Sequence, residues 1–329
     1  MQKVDEVVRV ENLKKYFPVQ KSFIEQLFTR RMSYVKAVDD VTFSVRRGEI
    51  FTLAGESGCG KTTTGRLIVK LLEPTSGKIF FNGADVTHLG GEELRLLRRK
   101  MQIIFQDPYA SLNPRMRIGD AVGHPLEIHG LAKGEEKRKM VLNVLEKVGL
   151  TPPEQFIDLY PHQLSGGQRQ RTALARSIIL KPEFIVADEP VSMIDVSLRT
   201  TIIDLMLDFR REMGLTYLFI THDLAVAKYI SDRIAIMYLG KIIEMSSKEN
   251  LFLNPLHPYT QALLSAIPVP NPKRKRKMIE LTGEVPSAIH IPSGCRFHPR
   301  CPCRKDECTR REPHLMEIEK NHFVACNLY

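Results

Sequence analysis

Short apolar runs alternate with stretches of helical periodicity along most of this chain. Ile50-Phe51-Thr52-Leu53-Ala54, Gln102-Ile103-Ile104-Phe105, Phe184-Ile185-Val186-Ala187, Tyr217-Leu218-Phe219-Ile220 and Arg233-Ile234-Ala235-Ile236-Met237-Tyr238 are near-continuous apolar segments. Segments of this kind predict strands of a parallel sheet covered on both faces, so the body reads as α/β. Val41-Thr42-Phe43-Ser44-Val45 alternates strictly, and Lys78-Ile79-Phe80-Phe81 runs into the turn pair Asn82-Gly83. Both suit an antiparallel outer sheet. Between Asp107 and Lys181 no segment reads as a strand; that stretch is predicted to be a helical insertion, with Glu135 to Val148 its clearest helix.

Three further segments break the pattern. Gln20 to Ser33 is polar and basic and reads as an insertion in the first hairpin. Pro255 to Pro272 is dotted with proline, and Lys273-Arg274-Lys275-Arg276-Lys277 then opens a tail. No stretch approaches the roughly 18 uninterrupted apolar residues of a membrane span. Met1-Gln2-Lys3-Val4-Asp5-Glu6 has no apolar region behind a basic head, so no secretory signal is expected.

Composition narrows the class. With 43% hydrophobic and 26% charged residues in 329, the chain is neither disordered nor collagen-like nor a coiled coil. Its net charge of +10 points toward polyanionic partners: nucleic acid, an anionic lipid surface or phosphorylated ligands. The excess is uneven, since Pro270 to Tyr329 carries twelve Lys and Arg against seven Asp and Glu. Cysteine is more uneven still. Cys59 stands apart, whereas Cys295, Cys301, Cys303, Cys308 and Cys326 crowd the tail. In a reducing compartment clustered thiols more often hold metal than form disulfides.

Gly55-Glu56-Ser57-Gly58-Cys59-Gly60-Lys61-Thr62-Thr63 fits the phosphate-loop pattern, with an apolar strand ending at Ala54 and a helical pattern opening near Lys61. The glycines allow successive N–H groups to face a phosphate, and the helix adds the positive end of its dipole. Lys61 supplies a full charge at the β/γ-phosphates, and Thr62 a hydroxyl for Mg²⁺. Asp188-Glu189 after the apolar run from Phe184 is the expected second half. Such a strand carries two carboxylates to the ligand-binding edge of a doubly wound sheet. Asp188 is then a ligand of Mg²⁺, directly or through water, and Glu189 orients or deprotonates the attacking water.

Between them lies Leu164-Ser165-Gly166-Gly167-Gln168. It reads either as a plain helix cap built on Ser165 or as a second phosphate cradle. One nucleotide does not need two cradles, so the second would serve a nucleotide held by another subunit.

Leu164-Ser165-Gly166-Gly167-Gln168 resembles the signature of ABC-type ATPases, and the family's other motifs follow in order. They are Gln106 in Phe105-Gln106-Asp107-Pro108, Asp195 after Ser192-Met193-Ile194, His222 in Ile220-Thr221-His222-Asp223, and Tyr16 as the aromatic that stacks on adenine. The resemblance implies a P-loop NTPase of ABC type, with a parallel core sheet, an antiparallel β subdomain and a helical subdomain. It implies two subunits closing head to tail on two ATPs, with Gln106 sensing Mg²⁺ and the γ-phosphate. His222 would touch the γ-phosphate and Asp195 would link the two sites. Met193-Ile194 replaces the family's usual Ala-Leu, which predicts altered interface packing with the chemistry kept.

Ala54 to Lys61, Gln106 to Arg115 and Asn254-Pro255-Leu256-His257-Pro258-Tyr259-Thr260 are similar to the ATP-binding subunits of prokaryotic dipeptide and oligopeptide importers. The insertion before Tyr34 is similar to the second of their two paired ATPases. The domains implied are 1–253, the ATP-binding part with its helical subdomain at about 107–181, and 254–329, a C-terminal extension. The partners implied are a paralogous ATPase in a heterodimer (a homodimer in isolation), two membrane permease subunits and an extracytoplasmic peptide-binding protein. The location implied is peripheral, on the cytoplasmic side of the cell membrane.

The tail spacing C-x5-C-x6-C-x17-C, from Cys295, Cys301, Cys308 and Cys326, suggests four thiolates on a small loop-rich unit. Zinc is the default from spacing, although the usual C-x2-C pair is absent. Free thiols are the plainer reading. The resemblance to peptide-importer ATPases implies instead a [4Fe–4S] cluster on those four cysteines within 295–326, and Cys303 is left over as a competitor. His298, His314 and His322 read as polar surface histidines. The Lys273 to Lys277 run reads first as a solvated linker and next as a contact with anionic headgroups. Nucleic acid is not an expected partner, because no groove-reading module accompanies the run. The competing functions are an importer ATPase for another cargo, such as a metal chelate or an oligosaccharide, and an ABC ATPase acting on nucleic acid or ribosomes. In a third reading, the tail is a redox sensor that gates the ATPase.

Overall fold

The structure, a computed structural model, describes residues 5–19, 33–267 and 278–329. Most of the first-hairpin insertion and the whole Lys273–Lys277 run lie outside the described residues. The described strands, in chain order, are β1 (Glu6–Pro18), β2 (Tyr34–Arg46), β3 (Ile50–Ala54), β4 (Ser76–Phe81), β5 (Ala84–Asp85), β6 (Met101–Ile104), β7 (Phe184–Asp188), β8 (Thr216–Thr221), β9 (Arg233–Tyr238), β10 (Lys241–Ser247), β11 (Met316–Glu319) and β12 (His322–Val324). The chain folds as two compact units, each assembled from separate stretches of sequence.

The unit that contains His88–Ile220 carries three parallel strands in the order β8-β7-β6. Every residue of β7 is buried, as the unbroken apolar run predicts for a strand covered on both faces. Between Asp107 and Lys181 every element is helical: Pro108–Ser111, Ile118–Ile128, Gly134–Lys147, Glu154–Ile157, the 3₁₀ turn Pro161–Gln163 and Gly166–Ile178. Helix Gly134–Lys147 buries Val141, Val144 and Leu145, a helical spacing that puts one apolar stripe inward.

The other unit holds two sheets. One is four-stranded and antiparallel in the order β2-β1-β4-β5; the other runs β11-β12-β10-β9-β3, with β3 and β9 parallel. Phe43 stacks on Phe51 with ring centroids 5.0 Å apart, joining β2 to β3. The tail is more deeply built into this unit than its loop-rich sequence suggests. Val324 of β12 pairs with Glu244 of β10, and Phe297 lies edge-on to Tyr238 and Tyr259 at 5.4 and 5.3 Å. β10 is hidden in the sequence because Glu244 and Ser246, both fully buried, interrupt its apolar pattern.

Candidate nucleotide-binding and catalytic residues

The loop between β3 and helix Lys61–Ile68 turns on glycines that no other residue can replace cheaply. Gly60 has φ 108°, and a Cβ there would lie 2.2 Å from the Ala37 carbonyl oxygen. Gly60 also opens the helix, and its position carries no side-chain cap. That is the arrangement an anion completes. Lys61 is 4% exposed and curls back over the loop, its Nζ donating to the carbonyls of Gly55 at 2.8 Å and Glu56 at 2.9 Å. Thr62 and Thr63 follow on the first turn, half-buried. Ser57 and Gly58 are exposed, whereas Cys59 is buried and its thiol is pushed up in pKa by that burial.

Behind the loop stand residues that the motif does not contain. The Glu56 N–H donates to the Tyr259 hydroxyl at 3.2 Å, and the Glu56 carboxylate receives both terminal nitrogens of Arg300 at 2.9 and 3.2 Å. Tyr16, on β1, donates its hydroxyl to Asp39, which also pairs with Arg296. Burial and the bond to Asp39 raise the Tyr16 pKa, so its hydroxyl stays protonated. Burial works against the Asp39 carboxylate, but Tyr16 and Arg296 together hold its pKa below the ordinary range. Glu56, Asp39, Arg296 and Arg300 escaped the sequence reading because their pairings span 244 and 257 residues. The one available signal was two arginines four apart between Cys295 and Cys301.

In the other unit, Asp188 ends β7 and is 2% exposed. Glu189 follows with φ 47°, a left-handed conformation that costs a non-glycine residue and recurs at functional sites. Its N–H donates to the Ile220 carbonyl at 2.9 Å, which fixes the turn against β8. Gln106 donates from Nε2 to Glu189 Oε2 at 3.0 Å, so these two predicted residues meet.

The signature segment shows its plain role directly. Ser165 caps helix Gly166–Ile178, accepting the Gln168 N–H at 3.3 Å while Gln168 Oε1 accepts the Ser165 N–H at 2.9 Å. This capping box leaves Gly166 open, with nothing within 4 Å of a Cβ built there. Asp195 is exposed at the start of helix Val196–Met213 and makes no side-chain cap bond. Beside it Met193 is 62% exposed and Ile194 is 6% exposed. His222 is exposed after β8, while Asp223 caps the helix Leu224–Ile230 that follows.

In the tail, Cys295, Cys308 and Cys326 are buried, Cys301 is half-buried and Cys303 is exposed. The Cys295 N–H donates to the Cys308 carbonyl at 2.8 Å, and neighbouring sulfurs add to the rise in pKa of Cys295, Cys301 and Cys326. Burial is the larger cause and pushes Cys295 up to about 11. Among the described residues, no three His, Cys, Asp or Glu side chains are gathered to hold a metal ion. The donor set itself, four soft thiols in one small tail unit, is of the chemical kind that ligates an iron–sulfur cluster. One tail residue departs from its sequence reading. His322 is not a surface histidine: it is fully buried, its Nε2 2.8 Å from Glu244 Oε1, a partner 78 residues away that no local pattern reveals. His298 is half-buried and His314 exposed.

Comparison with known proteins places these features. Residues 38–192 match the family model of the ABC transporter, and residues 243–308 match that of the oligopeptide/dipeptide transporter, C-terminal region. The chain is 47% identical over 326 residues to the oligopeptide transport ATP-binding protein AppF of Bacillus subtilis (strain 168), covering 98% of this chain and 97% of that protein. It is 48% identical over 314 residues to the dipeptide transport ATP-binding protein DppF of Haemophilus influenzae, covering 95% and 94%. A solved ATP-binding cassette, dimeric in a post-hydrolysis state with ADP and Pi, superposes with a TM-score of 0.63 at 31% identity, covering 73% of this chain and 98% of that one. No described helix is long and apolar enough to cross a membrane. The chain belongs to the ATP-binding proteins of oligopeptide and dipeptide ABC transporters.

Proposed function

We propose that this chain hydrolyses ATP to power the import of dipeptides or oligopeptides through a membrane ABC transporter. The observation that carries the reading is the uncapped helix at Gly60 with Lys61 held over its own loop. A polyphosphate can take over the bonds that Lys61 now makes to Gly55 and Glu56.

The roles divide by residue. Gly55, Ser57, Gly58, Cys59, Gly60 and Thr63 shape or face the phosphate cradle, and Lys61 neutralises the phosphates. Thr62, Asp188 and Gln106 would serve Mg²⁺, which supplies charge neutralisation when bound. Glu189 orients or deprotonates the attacking water, His222 touches the terminal phosphate and Tyr16 stacks on the base. Ser165, Gly166, Gly167, Gln168 and Asp195 serve the nucleotide and interface of a second ATPase subunit. Catalysis of this kind is positioning and charge stabilisation, so an isolated half-site is slow.

The chain is read as 1–253, the ATP-binding part, followed by the extension 254–329. Cys295, Cys301, Cys308 and Cys326 would hold a [4Fe–4S] cluster; four soft thiol donors in one tail support this. The subunit works on the cytoplasmic side of the membrane with a paralogous ATPase, two permeases and an extracytoplasmic peptide receptor. Affinity capture from detergent-solubilised membranes tests the assembly. Recovery with two polytopic proteins and peptide-dependent ATP turnover is the expected result; recovery with RNA or DNA alone overturns it.

A further inference from the structure

A glutamate inside a phosphate loop is an electrostatic problem. Glu56 is the first residue after Gly55, and its carboxylate brings negative charge to a loop that must hold a polyanion. The structure answers with Arg300, 244 residues away in the tail, whose side chain is 8% exposed and whose two terminal nitrogens grip both oxygens of Glu56. Arg300 is itself fixed, its guanidinium 5.9 Å from the ring centre of Tyr238. The segment is pinned again four residues earlier, where Arg296 donates to the Leu239 carbonyl at 2.5 Å and pairs with Asp39, the partner of Tyr16. A bidentate, largely buried pair of this geometry removes the charge of Glu56 from the loop and fixes where it points.

We infer that Arg300 is a positioning residue for polyphosphate binding: it cancels the Glu56 charge and holds the phosphate loop from the C-terminal tail. The inference deepens the reading of Gly55–Thr62 as a nucleotide site and rests on it. It gives the tail a direct part in ATP affinity that does not depend on what the cysteines hold. The penalty for losing Arg300 must grow with the number of phosphates on the ligand, because it is a charge repulsion. A merely structural role for Arg300 would weaken adenosine and ATP alike.

The test uses the full-length chain with Mg²⁺, titrated with adenosine, AMP, ADP and ATP in a calorimeter. Arg300→Gln is expected to lose on the order of tenfold in ATP affinity, with a smaller loss for ADP and little for adenosine. Adding Glu56→Gln to that variant is expected to restore ATP binding to within about threefold, since the repelling charge is gone. Equal losses for adenosine and ATP, or no rescue in the double variant, would overturn the inference. Should Arg300→Gln not fold, Arg300→Met fills the same space with an apolar stem and carries the same titration. Failure of the unaltered chain to bind ATP at all would strike the nucleotide reading instead.

Discussion

Gln106 and Glu189 meet side chain to side chain, Nε2 to Oε2 at 3.0 Å, although 83 residues separate them. The bond fixes one carboxylate oxygen of Glu189. The backbone of Glu189 is already constrained by φ 47° and by its N–H bond to Ile220. A general base needs this kind of restraint, because the proton it takes must lie within hydrogen-bond reach of a fixed oxygen.

Glu189→Gln keeps the shape and a hydrogen-bonding oxygen but removes the carboxylate proposed as the base. ATP binding is expected to stay within a few-fold of the original, while turnover falls by roughly 10²–10⁴. Phosphate release in a single-turnover assay, beside equilibrium ATP binding on the same preparation, separates the two effects. Retained hydrolysis would show that another group positions the water.

The phosphate loop offers a contrast between two glycines. Gly60 combines φ 108° with a Cβ position 2.2 Å from the Ala37 carbonyl oxygen, whereas Gly58 has φ 79° and open space around it. Gly58→Ala carries only the left-handed penalty of about 1–2 kcal/mol. Gly60→Ala must also push a backbone carbonyl away, so it is expected to lower the melting temperature further and abolish ATP binding. Thermal unfolding of the two variants side by side checks the order; equal shifts would mean that the loop relaxes freely.

The sequence exposes these features unequally, and distance along the chain explains the difference. The loop at Gly55–Thr62, the strand ending in Asp188 and the Ser165 cap are each written in a few consecutive residues, so strand-to-helix context was enough. The α/β class and the strand-free stretch from Asp107 to Lys181 were legible for the same reason. Pairings between distant residues were not. Glu56 with Arg300, Asp39 with Arg296 and Glu244 with His322 carry no local pattern, and each side chain alone looks like a solvated charge. Buried polar groups also disguised a whole strand, since Glu244 and Ser246 interrupt the apolar pattern of β10.

The cysteines lead to a prediction about colour and iron. With its thiol pushed up to about 11, Cys295 is protonated near neutral pH, and it becomes a ligand only when a metal centre displaces the proton. Protein purified without oxygen is expected to be brown, to absorb broadly in the visible and to contain about four irons per chain. Cys308→Ser should bleach it, whereas Cys303→Ser should not, because Cys303 is exposed and outside the four-cysteine spacing. Colourless protein with one zinc per chain would refute the cluster.

His257 makes the stability of the fold depend on pH. Burial pushes its pKa down to about 4, against the opposing pull of Glu244. Its Nδ1 accepts the Tyr259 N–H at 3.0 Å, so adding a proton there would also break the cap of helix Pro258–Ser265. The unfolded chain, with an ordinary histidine near 6.5, therefore binds a proton more readily than the folded one. Stability falls as pH drops through that window and is fully present above it. Between pH 7 and pH 5 the loss from this one group is about 2 kcal/mol. His257→Asn keeps an oxygen to accept the Tyr259 N–H but cannot titrate. Urea unfolding at the two pH values should show a smaller acid loss in the variant by about that amount. Parallel losses in both proteins would mean that the carboxylates and the other histidines carry the acid sensitivity.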